Sequence, residues 1–240
     1  MVLAMLRKID CNIWVAEQPF RFLGLDVGIR MTVISLKNDE LAVISPIKVD
    51  NKIIEQFREI GNVKHIIAPN LFHHLFLSDF KNIYPQAQIY AVSGLKKKRP
   101  DISIDKILDD DEKYFGSKLE YFLFEGLNTF LLNGVSPLHE YVFFHGESQT
   151  LIVTDIVFNF DESFPFTTKL VSKILGVYKQ LRPSFLEQLG TKEKEKVRQS
   201  VQKILQWDFR RVIMAHGTIV EDDAKQKFKK GYECFLEKIF

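Results

Sequence analysis

Short runs of apolar and β-branched residues, separated by turn residues, open the chain. Residues 12–17, 30–36 and 41–46 form three such runs, which are typical of β-strands. Lys37, Asn38 and Asp39 lie between the second and third runs and favour a tight turn. The pattern predicts an antiparallel meander at the start of the fold.

Helical and strand patterns alternate after this meander. Residues 51–60 place apolar side chains on one helical face and end at Gly61, so they are predicted to be a helix. A strand is predicted at residues 65–68, followed by a helical stretch to about Phe80 and a buried strand at residues 88–92. This alternation predicts parallel strands with helices packed outside the sheet.

The second half of the sequence repeats the plan of strands followed by helices. Residues 95–112 carry a basic run and an acidic run without periodicity, and are predicted to be a loop. Later elements are strands at residues 119–124, 129–132, 141–145 and 151–154, helices at 166–181 and 191–207, a strand at 211–215 and a helix from Val220. We expect one domain, 1–240, built of two similar halves at about 1–118 and 119–240.

Composition narrows the class of protein. The chain has 240 residues, 46% of them hydrophobic, which suffices for one substantial core. The net charge of +2 gives no field that would draw the whole molecule to nucleic acid or to an anionic membrane. No apolar run is long enough for a signal peptide or a spanning helix, so we expect a cytoplasmic protein without a membrane partner. Cys11 and Cys234 lack metal-binding spacing and are predicted to be buried thiols.

Histidines near predicted strand ends are the first candidates for chemistry. His73 and His74 follow the strand at residues 65–68, and His216 follows the strand at residues 211–215. Side chains at the carboxyl ends of strands in an αβ fold point into a shared crevice. His65 and His145 are predicted to lie at the opposite edge and are not candidates.

A predicted hairpin around Glu147 supplies a carboxylate. If the turn is centred on Glu147, then His145 opposes Gln149 and His139 opposes Asp155. Asp155 directly follows an apolar run, where an unpaired carboxylate is costly to desolvate. We therefore expect Asp155 to contact His139 or a metal ion.

One segment resembles a family motif. Residues 65–74 are similar to the strand and T-H-x-H-x-D-H loop of the metallo-β-lactamase-like superfamily. His74 matches the last histidine of that motif and His73 stands at its aspartate. Pro69 and Leu71 stand where its first two histidines should be.

Four further elements extend this resemblance over most of the chain. Residues 137–139, ending in His139, resemble the G-H-T element, and residues 151–155 resemble the strand that ends in the bridging aspartate. Residues 215–217 resemble the element that carries the final histidine. Ser45 stands in place of the acid in the D-T-G element. The sequence is identified as a member of an uncharacterised family of this superfamily.

The resemblance implies an αββα sandwich with a site at one edge, between the two sheets. It implies at most one metal ion, zinc or else iron or manganese, held by His74, Asp155 and His216 together with His139 or His73. His73 and His139 are also the candidate catalytic proton carriers. Pro69 and Leu71 are expected to form an apolar lid over a drier, smaller cavity.

Three functions are compatible with these residues. The first is a catalytically impaired protein, with or without a metal, that binds a small molecule or a protein partner in the crevice; the loss of two ligands favours it. The second is a mononuclear metal-dependent hydrolase of an ester, thioester, lactone or phosphoester. The third is a nucleic-acid-processing protein with residues 96–99 as a phosphate anchor, which we rank last because such a run is usually a solvated surface.

Overall fold

A computed structural model describes residues 5–108, 114–115, 119–131 and 134–237. The elements of the first half are β1 (Arg7–Asp10), β2 (Ile13–Gln18), β3 (Arg21–Phe22), β4 (Leu25–Asp26), β5 (Ile29–Ser35), β6 (Glu40–Ile44), α1 (Asn51–Ile60), β7 (Asn62–Ala68), α2 (Leu77–Ile83), β8 (Gln88–Ala91), α3 (Leu95–Lys98) and β9 (Lys106–Ile107).

The elements of the second half are β10 (Tyr114–Phe115), β11 (Leu119–Phe124), β12 (Asn128–Leu131), β13 (Gly134–Pro137), β14 (Glu140–His145), β15 (Thr150–Ile152), α4 (Phe166–Ile174), α5 (Phe185–Gly190), α6 (Lys194–Ile204), β16 (Arg211–Ile213) and α7 (Ala224–Leu236). No helix among the described residues has both the length and the apolar character needed to cross a membrane.

Two large sheets form the centre of the molecule. Within the described residues, the first has the strand order β1-β2-β5-β6-β7-β8-β9 and the second has the order β10-β11-β14-β15-β16. The pairs β2–β5 and β5–β6 are antiparallel, which confirms the predicted meander. The strands from β6 to β9 are parallel neighbours, as the alternation of strands and helices predicts.

Side-chain alternation along β14 shows how the sheets are layered. Tyr141 and Phe143 pack into the core that also contains the first sheet, whereas Val142 and Phe144 pack into a second core on the opposite face. Because successive strand residues point to opposite faces, the second sheet is buried on both sides. Helices α6 and α7 contact β11 and β16, and α1 and α2 contact β7. The predicted αββα sandwich is confirmed.

Several predicted boundaries are wrong for local reasons. The helix predicted at residues 166–181 ends at Ile174, because Gly176 adopts a left-handed conformation with φ of 76°. Helix α5 was not predicted, although Ser184 and Glu187 form a capping box at its start. The predicted loop at residues 95–112 contains α3 and β9, and its acidic run at residues 109–112 lies outside the described residues.

Both cysteines also differ from the prediction, since each is exposed. Cys11 lies in the turn between β1 and β2. Cys234 lies in α7 beside the buried Phe235 and faces outward. The exposure of Cys11 therefore follows from its position in a turn, and that of Cys234 from its position on the outer face of a helix. The apolar character of the thiol does not decide it.

Candidate metal centre

Three of the predicted site residues converge between the sheets. His73 Nε2 lies 3.2 Å from Asp155 Oδ2 and 3.3 Å from Asp155 Oδ1. His216 Nε2 lies 3.7 Å from Asp155 Oδ1. Among the described residues, these three side chains make up the one group whose ligand atoms all lie within 4.8 Å of one another.

Strand ends bring this group together. Asp155 follows β15 and His216 follows β16, and these two strands are parallel neighbours, so both side chains emerge at the same edge of the second sheet. His73 follows β7 of the first sheet, in a turn in which Asn70 Oδ1 accepts hydrogen bonds from the backbone nitrogens of Phe72 and His73, at 2.8 Å each. This Asx-type turn aims His73 across the gap between the sheets.

The second ring nitrogen of each histidine is held by the protein. Ser45 Oγ lies 2.6 Å from His73 Nδ1, and the Gly28 carbonyl oxygen lies 2.5 Å from His216 Nδ1. A carbonyl oxygen can only accept, so His216 Nδ1 carries the hydrogen and neutral His216 has a lone pair on Nε2. Both Nε2 atoms therefore face Asp155 in fixed orientations.

A buried arginine fixes the loop that carries His216. Arg30 donates hydrogen bonds to the carbonyl oxygen of Met214 and, at 2.7 Å, to that of Gly217. Gly217 has φ of 91°, and a Cβ there would collide with the backbone of Asn159. Phe20 stacks against the His216 ring with 6.0 Å between centroids. The position of His216 is thus constrained by the hydrogen bonds of Arg30, by the close packing at Gly217 and by the ring of Phe20.

A fully buried carboxylate lies behind Asp155. Glu140 accepts hydrogen bonds from the backbone nitrogens of Thr154, at 2.6 Å, and of Asp155, at 2.7 Å. Asn70 Nδ2 lies 2.7 Å from Asp155 Oδ2 and 3.1 Å from Glu140 Oε2, and so donates between the two acids. Glu140 and Asn70 hold the chain after β15 in the conformation that presents Asp155.

These contacts set the protonation of the group. Burial opposes the charged form of Asp155, but His73 outweighs this and lowers the pKa of Asp155 to about 2. Burial lowers the pKa of His216 to about 4 despite the proximity of Asp155. Burial also opposes the charged form of His73, yet the adjacent Asp155 raises its pKa above the ordinary value. Burial together with Asp155 raises the pKa of Glu140 to about 7.

His139 lies outside the group because the predicted hairpin register is wrong by one residue. His145 pairs with Thr150, not with Gln149. Continuing that register places Glu140, and not His139, opposite Asp155. His139 itself is half-buried, with φ of 49°.

His74 also points away from the group. Arg99 Nη1 donates a hydrogen bond to His74 Nδ1 at 2.9 Å. Burial and the cations of Lys98 and Arg99 lower the pKa of His74 to about 4. The expected convergence of His74 and His139 with Asp155 and His216 is therefore not observed, and His73 is the histidine that meets them.

The remaining histidines and the two ligand-replacing residues lie elsewhere. His65, inside β7, stacks edge-on against Phe115, and His145 lies 2.7 Å from Ser148 Oγ. Pro69 is buried and its carbonyl accepts a hydrogen bond from the backbone of Tyr141, while Leu71 is partly buried against the first core. Whether Pro69 and Leu71 also form an apolar lid stays a prediction.

Solved structures with the same architecture define the class of fold. The metallo-β-lactamase DIM-1 is 14% identical in sequence to this chain, and the two structures superpose with a TM-score of 0.66. The match covers 97% of this chain and 98% of DIM-1. A metallo-β-lactamase from Pontibacter korlensis is 12% identical in sequence with a TM-score of 0.63, and the match covers 98% of this chain and 99% of that protein. The metallo-β-lactamase FIM-1 from Pseudomonas aeruginosa, solved in a mono-zinc form, is 10% identical in sequence with a TM-score of 0.61. The match covers 98% of this chain and 94% of FIM-1. The chain has the metallo-β-lactamase fold.

Sequence comparison then identifies the family. Residues 10–182 match the family described as Domain of unknown function (DUF4336), and the chain belongs to this family. The matched range includes His73 and Asp155 and ends before His216. No protein with a curated description matches the sequence.

Proposed function

We propose that His73, Asp155 and His216 hold one divalent metal ion and that the protein is a mononuclear metal-dependent hydrolase. One observation carries this proposal. His73 Nε2 and His216 Nε2 both face Asp155 Oδ1, at 3.3 Å and 3.7 Å, and the Gly28 carbonyl holds neutral His216 in the tautomer whose Nε2 lone pair points at this carboxylate. A cation among these three atoms would be bound by all of them.

The donor set fits a metal of the zinc type. Zinc takes histidine nitrogens and carboxylate oxygens at about 2.0–2.2 Å in tetrahedral geometry, which places neighbouring ligand atoms about 3.3 Å apart. Asp155 Oδ1 lies 3.3 Å from His73 Nε2 and 3.7 Å from His216 Nε2, and both distances are close to this value. Two nitrogens and one oxygen also suit iron or manganese.

A set of three ligands supports hydrolysis, because it leaves a tetrahedral ion one open position for water or substrate. A bound ion would act as a Lewis acid and bring the pKa of a water molecule down toward about 7. Asp155 is ionised at neutral pH, so it can hold a cation without first losing a proton. The side chains of Asp155 and His216 are 12% exposed, so the group is not sealed from solvent. An ester, thioester, lactone or phosphoester is the substrate class we propose.

A catalytically impaired protein that binds a ligand in the same crevice is the alternative. Pro69 and Leu71 favour it, because they stand where the resemblance places two ligands of a first metal ion. The absence of these two ligands argues against a site for two metal ions, but it leaves the three proposed ligands of a single ion in place. FIM-1 has been solved in a mono-zinc form, so one zinc ion is compatible with the fold.

Turnover of a substrate panel distinguishes the two functions. Metal-free protein would be loaded with zinc, iron(II) or manganese(II) and assayed with an aryl ester, a thioester, a γ-lactone and a bis-aryl phosphodiester. We expect metal-dependent hydrolysis of at least one class and its loss in Asp155→Asn. If the loaded protein hydrolyses none of them but binds metal, the ligand-binding alternative is favoured.

Ser45 is expected to orient His73 for metal binding. Residues that hydrogen-bond the second nitrogen of a ligating histidine typically contribute 10–100-fold to metal affinity. Ser45→Ala should therefore weaken zinc binding by about 10–100-fold in a competition titration against a chromophoric chelator.

The control for Ser45 is Ser148→Ala. Ser148 makes an equivalent buried contact to a histidine, with 2.7 Å between Ser148 Oγ and His145 Nδ1, outside the candidate metal centre. This variant should lose a similar hydrogen bond without changing zinc affinity. Equal affinities for the wild type and Ser45→Ala would show that Ser45 does not orient a ligand.

A further inference from the structure

Helix α4 has its polar and apolar faces reversed. It buries Thr168 and Ser172, one turn apart. Its three large apolar residues, Phe166, Leu170 and Ile174, are also one turn apart and are 74%, 50% and 71% exposed. A surface helix ordinarily buries its apolar stripe, so a stripe turned outward marks a surface that meets something other than water.

The β3–β4 hairpin packs beside α4 and also exposes apolar side chains. Thr168 Oγ1 donates a hydrogen bond to the carbonyl oxygen of Asp26 at 2.8 Å, which fastens the polar side of α4 to β4. Phe22 and Leu23, at the tip of the hairpin, are 46% and 65% exposed. We call the five exposed side chains the α4–hairpin face: Phe22, Leu23, Phe166, Leu170 and Ile174.

Basic residues accompany the α4–hairpin face. Helix α4 carries two lysines, Lys169 and Lys173, and no acidic residue, although the net charge of the chain is only +2. Arg21 lies on the hairpin. The near-neutral total therefore conceals a local combination of exposed apolar and cationic side chains.

We propose that the α4–hairpin face docks onto the surface of an anionic lipid bilayer. Peripheral helices that lie in the membrane interface combine inserted Phe and Leu side chains with lysines that meet anionic headgroups. The five side chains are 46–74% exposed, so each is available for insertion between lipids.

A second copy of the chain fits this face less well. In a twofold dimer the same patch would meet itself, so the lysines of α4 in one copy would lie near those of the other, and α4 carries no acidic residue to pair with them. Like charges brought together across an interface are strongly unfavourable. Anionic headgroups meet the same lysines with the opposite charge.

Docking would bring lipid close to the candidate metal centre. Phe20 immediately precedes β3 and stacks on His216. The α4–hairpin face thus adjoins the site without including His73, Asp155 or His216. Vesicle binding can therefore be tested independently of metal binding or hydrolysis.

Vesicle sedimentation with the full chain tests the proposal. The wild type should sediment with phosphatidylcholine vesicles that contain about 30% phosphatidylserine, and binding should fall on pure phosphatidylcholine or at about 0.5 M salt. The triple variant Phe166→Ser, Leu170→Ser, Ile174→Ser should lower the association constant by at least about tenfold. Lys169→Glu with Lys173→Glu should weaken binding to the anionic vesicles alone.

Matched controls identify the face. Ile83→Ser with Ile107→Ser replaces apolar side chains on α2 and β9 that are 36% and 46% exposed, and should bind vesicles like the wild type. Failure of the wild type to bind anionic vesicles at low salt would overturn the proposal, as would unchanged binding by the triple variant. So would a wild-type dimer in sedimentation velocity that the triple variant converts to monomer, because the face would then join two copies of the chain.

Discussion

His216→Ala is expected to weaken zinc binding by at least about 100-fold, more than the loss of a residue that only orients a ligand. The variant removes one of three ligand atoms, and its neighbour Asp155 is left with His73 alone. His73→Ala should have an effect of the same size. Isothermal titration of metal-free protein with zinc, or competition with a chelator, measures both.

His74→Ala and His139→Ala are the matched controls for these two variants. His74 adjoins His73 in sequence but faces Arg99, and His139 adjoins Glu140 but lies outside the group of three. Each should bind zinc within about threefold of the wild type, since neither side chain is a proposed ligand. Loss of zinc binding in His74→Ala or His139→Ala would instead support the ligand set that the sequence motif implies.

Glu140→Ala is expected to lower the free energy of unfolding by about 3 kcal/mol or more, because buried donors that lose their partner cost about 1–3 kcal/mol each. The backbone nitrogens of Thr154 and Asp155 both lose their acceptor in this variant. Glu140→Gln keeps the shape of the side chain, but its amide NH2 group would face one of these two backbone N–H groups. Two donors would then oppose each other, so this variant should also be destabilised. Urea denaturation followed by circular dichroism measures the change.

The neighbouring His139→Ala serves as the control for stability. His139 is half-buried at a positive φ, and its replacement by alanine is expected to change the free energy of unfolding by about 1 kcal/mol or less, well below the loss in Glu140→Ala. A Glu140→Ala protein as stable as His139→Ala would mean that Glu140 does not support the turn at Asp155. Zinc affinity of any folded Glu140→Gln protein then reports how far this turn positions Asp155.

The meander β2–β5–β6 and the parallel strands β7 and β8 could be predicted because they depend on local patterns. The alternation of apolar runs with turn residues is enough to identify the meander, and the helix at residues 51–60 is bounded by Asp50, its N-cap, and by Gly61. Helix α4 was predicted too long because the pattern of apolar residues continues past Gly176. The S-x-x-E signal at Ser184 was present in the sequence and would have identified α5.

The site depended on details finer than a motif. A shift of one residue in the β14–β15 register exchanges His139 for Glu140 opposite Asp155, and the turn length that sets this register is not visible in composition. Similarly, the Asn70 turn decides which of two adjacent histidines enters the gap between the sheets. The positions of Asp155 and His216 could be predicted, because each residue directly follows a strand and the two strand ends lie at the same edge of the sheet.

Ser45 is a residue whose role cannot be inferred from the sequence alone. Its place at the acid of the D-T-G element follows from the sequence, yet its contact with His73 Nδ1 requires β6 and β7 to be adjacent parallel strands. Arg30 and Glu140 gave no comparable signal, because a charged residue within a strand is usually on a solvated face. Their burial depends on partners that lie 184 and 15 residues away along the chain.

Metal content of protein purified without a histidine tag tests the central proposal most directly. The protein would be equilibrated with zinc, dialysed free of excess metal and measured by elemental analysis beside His73→Ala and His216→Ala. We expect about one zinc per chain in the wild type, since the three ligands form one site, and almost none in either variant. Wild-type protein that retains no zinc, or variants that retain as much as the wild type, would contradict a metal site built from His73, Asp155 and His216.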